Sequence, residues 1–457
     1  MSHVKIWAIA LFIQGAIVGC TGADPTPSVL SSDATVVWSV ELPGDGLQTP
    51  RAMAIHDGGI VVVGKVDGSM SFSTKAPVVS ARADGFVAMF DRDGTPRWST
   101  VLRGAGVGTL SSVHISGSRV IVGGSADGAA TLGNRSLTGG QGERHGFAAA
   151  LDLETGGTLW LQDLAPLKMI SVGAITSDGV STFLAGAATP QGPESFSVVA
   201  SLSNTDGTVR WNREVRGLRD RELLPNCEIT QLILDQAGLL TFAGVYTGAG
   251  LTLFGPNPSL GPLSAFAARM TKDGSASGMM ANVFRREHES HNGHSHTSLI
   301  DKVTVLRASS SGAILVGGSQ FQTVVHDGDV PWLSRAVWAE MLPHDLLTST
   351  DVRARTLVAL APEAATEQPR AIFALSTVRD PLGNQEEASA RASIEFFERA
   401  DGERPNALAW LKNDDYDLNA VSVADGGGSL IVLLMKRSPA ADGGAVKGTT
   451  VLAELEL

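Results

Sequence analysis

Along this chain, short apolar runs alternate with clusters of Gly, Asp, Ser and Asn, and one kind of run recurs. Its copies are GIVVVGK (59–65), RVIVGGS (119–125), TFLAGAA (182–188), LTFAGVY (240–246), AILVGGS (313–319), AIFALST (371–377) and SLIVLLM (429–435). The central Gly, or the residue in its place, falls at 64, 123, 186, 244, 317, 376 and 434, so the steps are 59, 63, 58, 73, 59 and 58. A nearly constant step over this many copies marks an internal repeat. Each run is short, β-branched and bounded by turn residues, which predicts a strand covered on both faces. Before each run lies another strand across a turn, as in SVHISGSRVIVGG and QLILDQAGLLTFAG. After it comes a third, beginning near Phe86, Phe147, Phe196, Phe266, Ala336, Ile394 and Val451. Turns such as Asp93-Gly94, Thr155-Gly156, Asp206-Gly207 and Asp273-Gly274 then lead to a fourth strand. Tryptophan heads that strand in five places: Trp38, Trp98, Trp160, Trp211 and Trp410.

Four strands per unit, repeated radially, predict an all-β fold: a single β-propeller of seven four-stranded blades over 33–457. The last unit ends on its third strand, TTVLAELEL, while VVWSVEL (36–42) stands alone near the start. The N-terminal strand is therefore expected to join the last C-terminal blade and close the ring without an open edge. FAAALDLETGGTLW (147–160) nearly repeats FVAMFDRDGTPRW (86–98), and Gly94, Gly156 and Gly207 each precede a tryptophan by four residues. That fixed offset makes Trp38, Trp98, Trp160, Trp211 and Trp410 packing positions between blades rather than a ligand platform. Trp332 falls outside the offset and is expected on a loop, as an exposed aromatic anchor. Helical or loop insertions are expected in some blades, for instance around 343–366.

Ala150, Asp152, Thr155, Gly156 and Trp160 resemble the tryptophan-docking motif of pyrroloquinoline-quinone-type propeller repeats, and Ala88, Asp91 and Trp98 follow it loosely. The longer unit, with V-G-G in the second strand, looks like the seven-bladed propeller repeats of bacterial surface and periplasmic proteins. The resemblance covers about 33–457 and implies a fold more than a function, since unrelated activities share such scaffolds.

The N-terminus reads differently. MSHVKIWAIALFIQGAIVGC has one Lys and then an apolar run from Ile6 to Gly19. That run is short for a bilayer span and right for a signal-peptide core. Ile17-Val18-Gly19-Cys20 resembles the bacterial lipobox, which implies that 1–19 is a signal peptide and that Cys20 is acylated. Thr21 follows where an aspartate would signal retention, which by the same resemblance favours the outer membrane. Residues 20–32, rich in Pro, Ser and Thr, read as a flexible tether. With Cys20 lipidated, Cys227 alone remains, so no internal disulfide forms. Cys227 lies beside an apolar run and reads as a buried, inert thiol.

The formal net charge of −12 argues against nucleic-acid binding, which needs a basic stripe, and against docking by charge on an anionic membrane. RREHESHNGHSH (285–296) lies in the one long interval and reads as a surface-loop insertion, near 285–298. Its His288, His291, His294 and His296 are candidate ligands for Zn or another divalent transition metal. The H-E-x-x-H spacing of metalloproteases is missing. NDDYDLN (413–419) reads as a turn with solvated carboxylates rather than a calcium loop. The run from Gly104 to Gly108 lies between strands and lacks the helix a phosphate loop needs. No nucleophile elbow or nucleophile–base pair is found, so no catalytic residue is assigned.

The reading is a non-catalytic, envelope-anchored lipoprotein, monomeric, whose propeller binds a protein or polysaccharide partner. Two alternatives remain open: an accessory factor of outer-membrane protein assembly, or a quinone- or metal-dependent periplasmic enzyme.

Overall fold

The computed structural model describes residues 35–456 apart from short segments, of which 362–370 and 379–390 are the longest. Between 278 and 447 it describes the backbone and a few core side chains. The predicted signal peptide, Cys20 and the tether lie outside the described residues, as does Trp410.

The described chain is a succession of antiparallel meanders, each strand pairing with the next. The first has strands Gly46–His56, Gly59–Met70, Val78–Phe90 and Pro96–Gly104. The second has Gly108–Ser116, Arg119–Asp127, Arg144–Asp152 and Thr158–Asp163. The third has Ala174–Ser177, Ser181–Ala188, Phe196–Ser203 and Val209–Val215. The fourth has Asn226–Leu234, Leu240–Thr247, Leu263–Met270 and Ala276–Phe284. Next comes a five-stranded sheet: His288–His291, His294–Ala308, Ile314–Val325, Trp332–Met341 and Leu346–Val352. Thr356–Ala361, Ala371–Val378, Arg391–Glu398 and Asn406–Ala409 follow. The final meander is Tyr416–Val423, Ser429–Ser438 and Lys447–Glu456, and Thr35–Leu42 pairs antiparallel along its last strand.

The apolar runs are continuous because each second strand serves two cores. Val61 and Val63 pack with Val87, Val120 and Phe147 of the first and second meanders. Ile60 and Val62, pointing the other way, pack with Leu42, Ile431 and Leu452. Ile121 likewise faces the core shared with the third meander, while Val120 and Val122 face the first. Phe183 and Ala185 join a core with the fourth meander, and Leu184 joins the one behind. Sheets stacked face to face leave each middle strand no solvent side, so alternation vanishes. This is packing of the propeller type.

The recurring glycine has a separate cause. The first strand bulges at Arg51, Ser111 and Thr230, where one extra residue interrupts the register. The residue before each bulge pairs with Gly64, Gly124 and Gly244. A methyl group there would strike the carbonyl oxygen of Thr49, Thr109 or Glu228. In the second copy the crowded glycine is therefore Gly124, one residue beyond the position read from the repeat. A side chain at Gly123 would instead meet Val172 and Ile175 of the next meander, with atoms at 2.6 Å.

Four expectations change. The region near 343–366 carries strands Leu346–Val352 and Thr356–Ala361 where helical or loop insertions were expected. Trp332 opens a strand and pairs with Thr323, not on a loop. Tyr416–Asn419 belong to a first strand rather than a turn; 413–415 lie outside the described residues. The His-rich tract is a hairpin continuing a sheet rather than a loop.

Candidate functional site

The seams between meanders are built from the repeated turn. In the second meander Asp152 accepts from the Thr155 amide at 2.9 Å and from its hydroxyl at 2.8 Å. The Gly156 amide bonds to the Asp152 carbonyl at 2.9 Å, and Gly156 has φ +69°. That left-handed backbone brings the turn flat against Trp98 of the preceding meander. A methyl on Gly156 would lie 2.5 Å from the indole. The Trp98 Nε1–H donates to Leu153 O at 2.8 Å. Trp160 repeats the arrangement on Gly207 and Asn204 O, and Trp211 on Gly274 and Lys272 O. Trp38 lies against Gly94 but donates to the Glu454 carboxylate at 2.6 Å, within its own sheet. These tryptophans face protein, with Trp98 and Trp160 at most 5% exposed.

Hydrogen bonding lowers the pKa of each turn carboxylate. Thr155 does so for Asp152, first through its hydroxyl; Thr95 and Thr208 do so for Asp93 and Asp206, first through their amides. They are pinned as carboxylates by local geometry and are poor proton donors near neutrality.

Facing the first seam is an open cleft of about 640 Å³. Thr100, Asn134, Asp152, Thr155 and Thr158 give it hydroxyl, amide and carboxylate groups, and Leu159 one apolar edge. Sequence reasoning missed it. One wall is the small hairpin Ala130–Leu132 and Arg135–Leu137, inserted between strands of the second meander. Its first strand pairs with Leu102–Gly104 of the first meander, so it bridges the seam. The only trace in the sequence is a step of 63 between the second and third copies, against 59 between the first and second.

At the first-strand bulges, hydroxyls latch neighbours. Ser111 Oγ donates to Val172 O at 2.6 Å, and Thr230 Oγ1 to Val303 O at 2.6 Å. Ser197 bridges the third and fourth meanders, donating to Cys227 O at 3.0 Å and accepting the Ile229 amide at 2.9 Å. Cys227 itself is buried and unpaired with another cysteine. Burial, reinforced by Glu228, pushes its thiol well above the ordinary range. Such a thiol is no nucleophile. Buried polar pairs have structural roles. His145 Nδ1 lies 3.0 Å from Asp163 and its Nε2 2.9 Å from Gly128 O. Arg269 and Asp235 pair at 3.3 Å under a turn.

Of the candidate metal ligands, the hairpin register places His291, His294 and His296 on one face and His288 on the other.

No protein-family model matches the chain, and no curated protein is significantly similar to it. Similar solved structures include an ulvan lyase of a polysaccharide lyase family, over 90% of this chain and 95% of that one, with TM-score 0.49 and 11% identity. A quinohemoprotein alcohol dehydrogenase from Comamonas testosteroni is similar over 93% of this chain and 76% of its own, with TM-score 0.45 and 10% identity. A glucose dehydrogenase covers 91% and 98%, with TM-score 0.39 and 12% identity. At these identities and scores the likeness carries nothing about activity.

Proposed function

We propose that the chain is an envelope scaffold: seven meanders closed into one propeller, held by a lipid on Cys20, binding a protein or polysaccharide partner. One observation carries this reading. Thr35–Leu42 is the outer strand of the final meander, paired from Thr35↔Glu456 to Leu42↔Thr450. An anchor on Cys20 would be joined to the propeller through this outer strand, which would leave both faces of the propeller open to partners. Ring closure is supported by the way first strands lie against one another, Gly46–His56 beside both Gly108–Ser116 and Tyr416–Val423. The hydroxyl, amide and carboxylate lining of the first cleft suits a polyhydroxylated ligand, which favours a glycan among the partners.

Metabolic labelling with radioactive palmitate tests the anchor. Label on the wild type and none on Cys20→Ala supports it; equal labelling of both, or of neither, removes it. The scaffold reading is tested with full-length protein on an array of envelope polysaccharides and by crosslinking in cells. Saturable binding weakened by Asn134→Ala and Asp152→Asn would support the cleft. Binding that ignores both substitutions would move the contact elsewhere on the disc.

A further inference from the structure

The sheet that begins at His288 has one strand more than its neighbours. His288–His291 turns back into His294–Ala308, pairing His291 with His294, Ser290 with Ser295, Glu289 with His296 and His288 with Thr297. Directly opposed residues share a face, and successive residues alternate between faces. Glu289, His291, His294 and His296 therefore occupy one face of the hairpin. His288 falls on the other, among Ser290, Ser295 and Thr297.

The four positions are the corners of a quadrilateral. Opposed corners are about 5 Å apart between Cβ atoms, and corners along a strand about 7 Å. On its other flank His296 pairs with Val324, so the polar corners all belong to the hairpin. Three imidazoles and one carboxylate are a donor set that Zn takes in tetrahedral coordination and that Cu or Ni also accepts. The paired strands His288–His291 and His294–Ala308 set the spacing of the four positions before any ion binds, so little chain entropy is lost on assembly.

We propose that Glu289, His291, His294 and His296 form a site for a divalent transition-metal ion, and that His288 is excluded from it by register. The tract reads as a run of equivalent histidines; the pairing makes them unequal. A bound ion joins the two strands and locks that pairing, since a slip by one residue would send half the donors to the opposite face.

The test is zinc calorimetry on the full chain after chelator treatment, with His288→Ala, His291→Ala, His296→Ala and Glu289→Gln. Wild type and His288→Ala are expected to bind one ion with affinities within about twofold. His291→Ala and His296→Ala should each lose about 100-fold, because even outer-shell changes around metals cost 10–100-fold. Glu289→Gln, which keeps the side-chain shape, should also weaken binding. Zinc should raise the melting temperature of wild type and His288→Ala but not of His291→Ala. His288→Ala lies in the same hairpin and so controls for lost folding. Equal losses for all three histidine variants would mean adventitious chelation by the tract and overturn the proposal. So would the absence of wild-type binding at about 100 µM zinc, where a site of useful affinity would be saturated.

Discussion

At Gly156 the difference between a hydrogen and a methyl group decides whether two meanders meet. Gly156→Ala combines a left-handed backbone with a collision on Trp98 at 2.5 Å. Gly142 has φ +82° with nothing within 4 Å, so Gly142→Ala isolates the backbone cost. Urea unfolding should show about 1 kcal/mol lost at Gly142 and about 3 kcal/mol at Gly156, the excess being overpacking. Asp152 offers a test by pH. Its folded pKa is depressed, first by the Thr155 hydroxyl and then by the Thr155 amide. The stability it confers is therefore full above the unfolded value, near 3.9, and is lost as pH falls through the lower folded value. Thr155→Val should raise the Asp152 titration midpoint seen by NMR. The stability gap between variant and wild type should be largest above that window and narrow on acidification. Cys227, buried with its thiol held protonated, should resist thiol reagents in native Cys20→Ala protein and react once denaturant opens the core.

At the scale of the element, neighbouring meanders depend on few polar contacts, and Ser197 is among the most exacting. Ser197→Ala leaves the Ile229 amide and the Cys227 carbonyl buried without their partner. About 2 kcal/mol should be lost, with faster hydrogen exchange at Ile229 as the local readout. The elements themselves were legible where physics repeats. Runs such as GIVVVG announce a strand with two buried faces, because alternate residues feed two cores. The glycine–tryptophan offset announces a turn packed on a neighbour. The bulges at Arg51, Ser111 and Thr230 were not legible, since only the partner strand defines an extra residue. The same holds for the hairpin Ala130–Leu132 and Arg135–Leu137, whose strands are too short to leave a pattern. It holds too for the unequal faces of the His-rich tract. Composition shows donors, and only register says which of them meet.

For the whole molecule the pairing of Thr35–Leu42 with Lys447–Glu456 governs behaviour. Thr35–Leu42 covers the strand Lys447–Glu456, and Gln48 staples it to the first meander. The Gln48 amide donates to Leu42 O at 3.0 Å and accepts from the Thr450 amide at 2.9 Å, all buried. Removing 35–42 should expose an unpaired sheet edge. Light scattering should then detect edge-to-edge oligomers, and thermal unfolding should lose cooperativity; a monomer melting like wild type would count against ring closure. The same junction has a kinetic meaning. Trp38 and Glu454, bonded to each other, lie 416 residues apart. Contacts so distant along the chain are among the slowest to form. A polypeptide emerging N-terminus first carries Thr35–Leu42 unpaired until Lys447–Glu456 arrives. This pairing therefore forms only after every intervening meander has been made, and the chain lacking it, with a bare strand edge, is the species that holdase chaperones would have to guard.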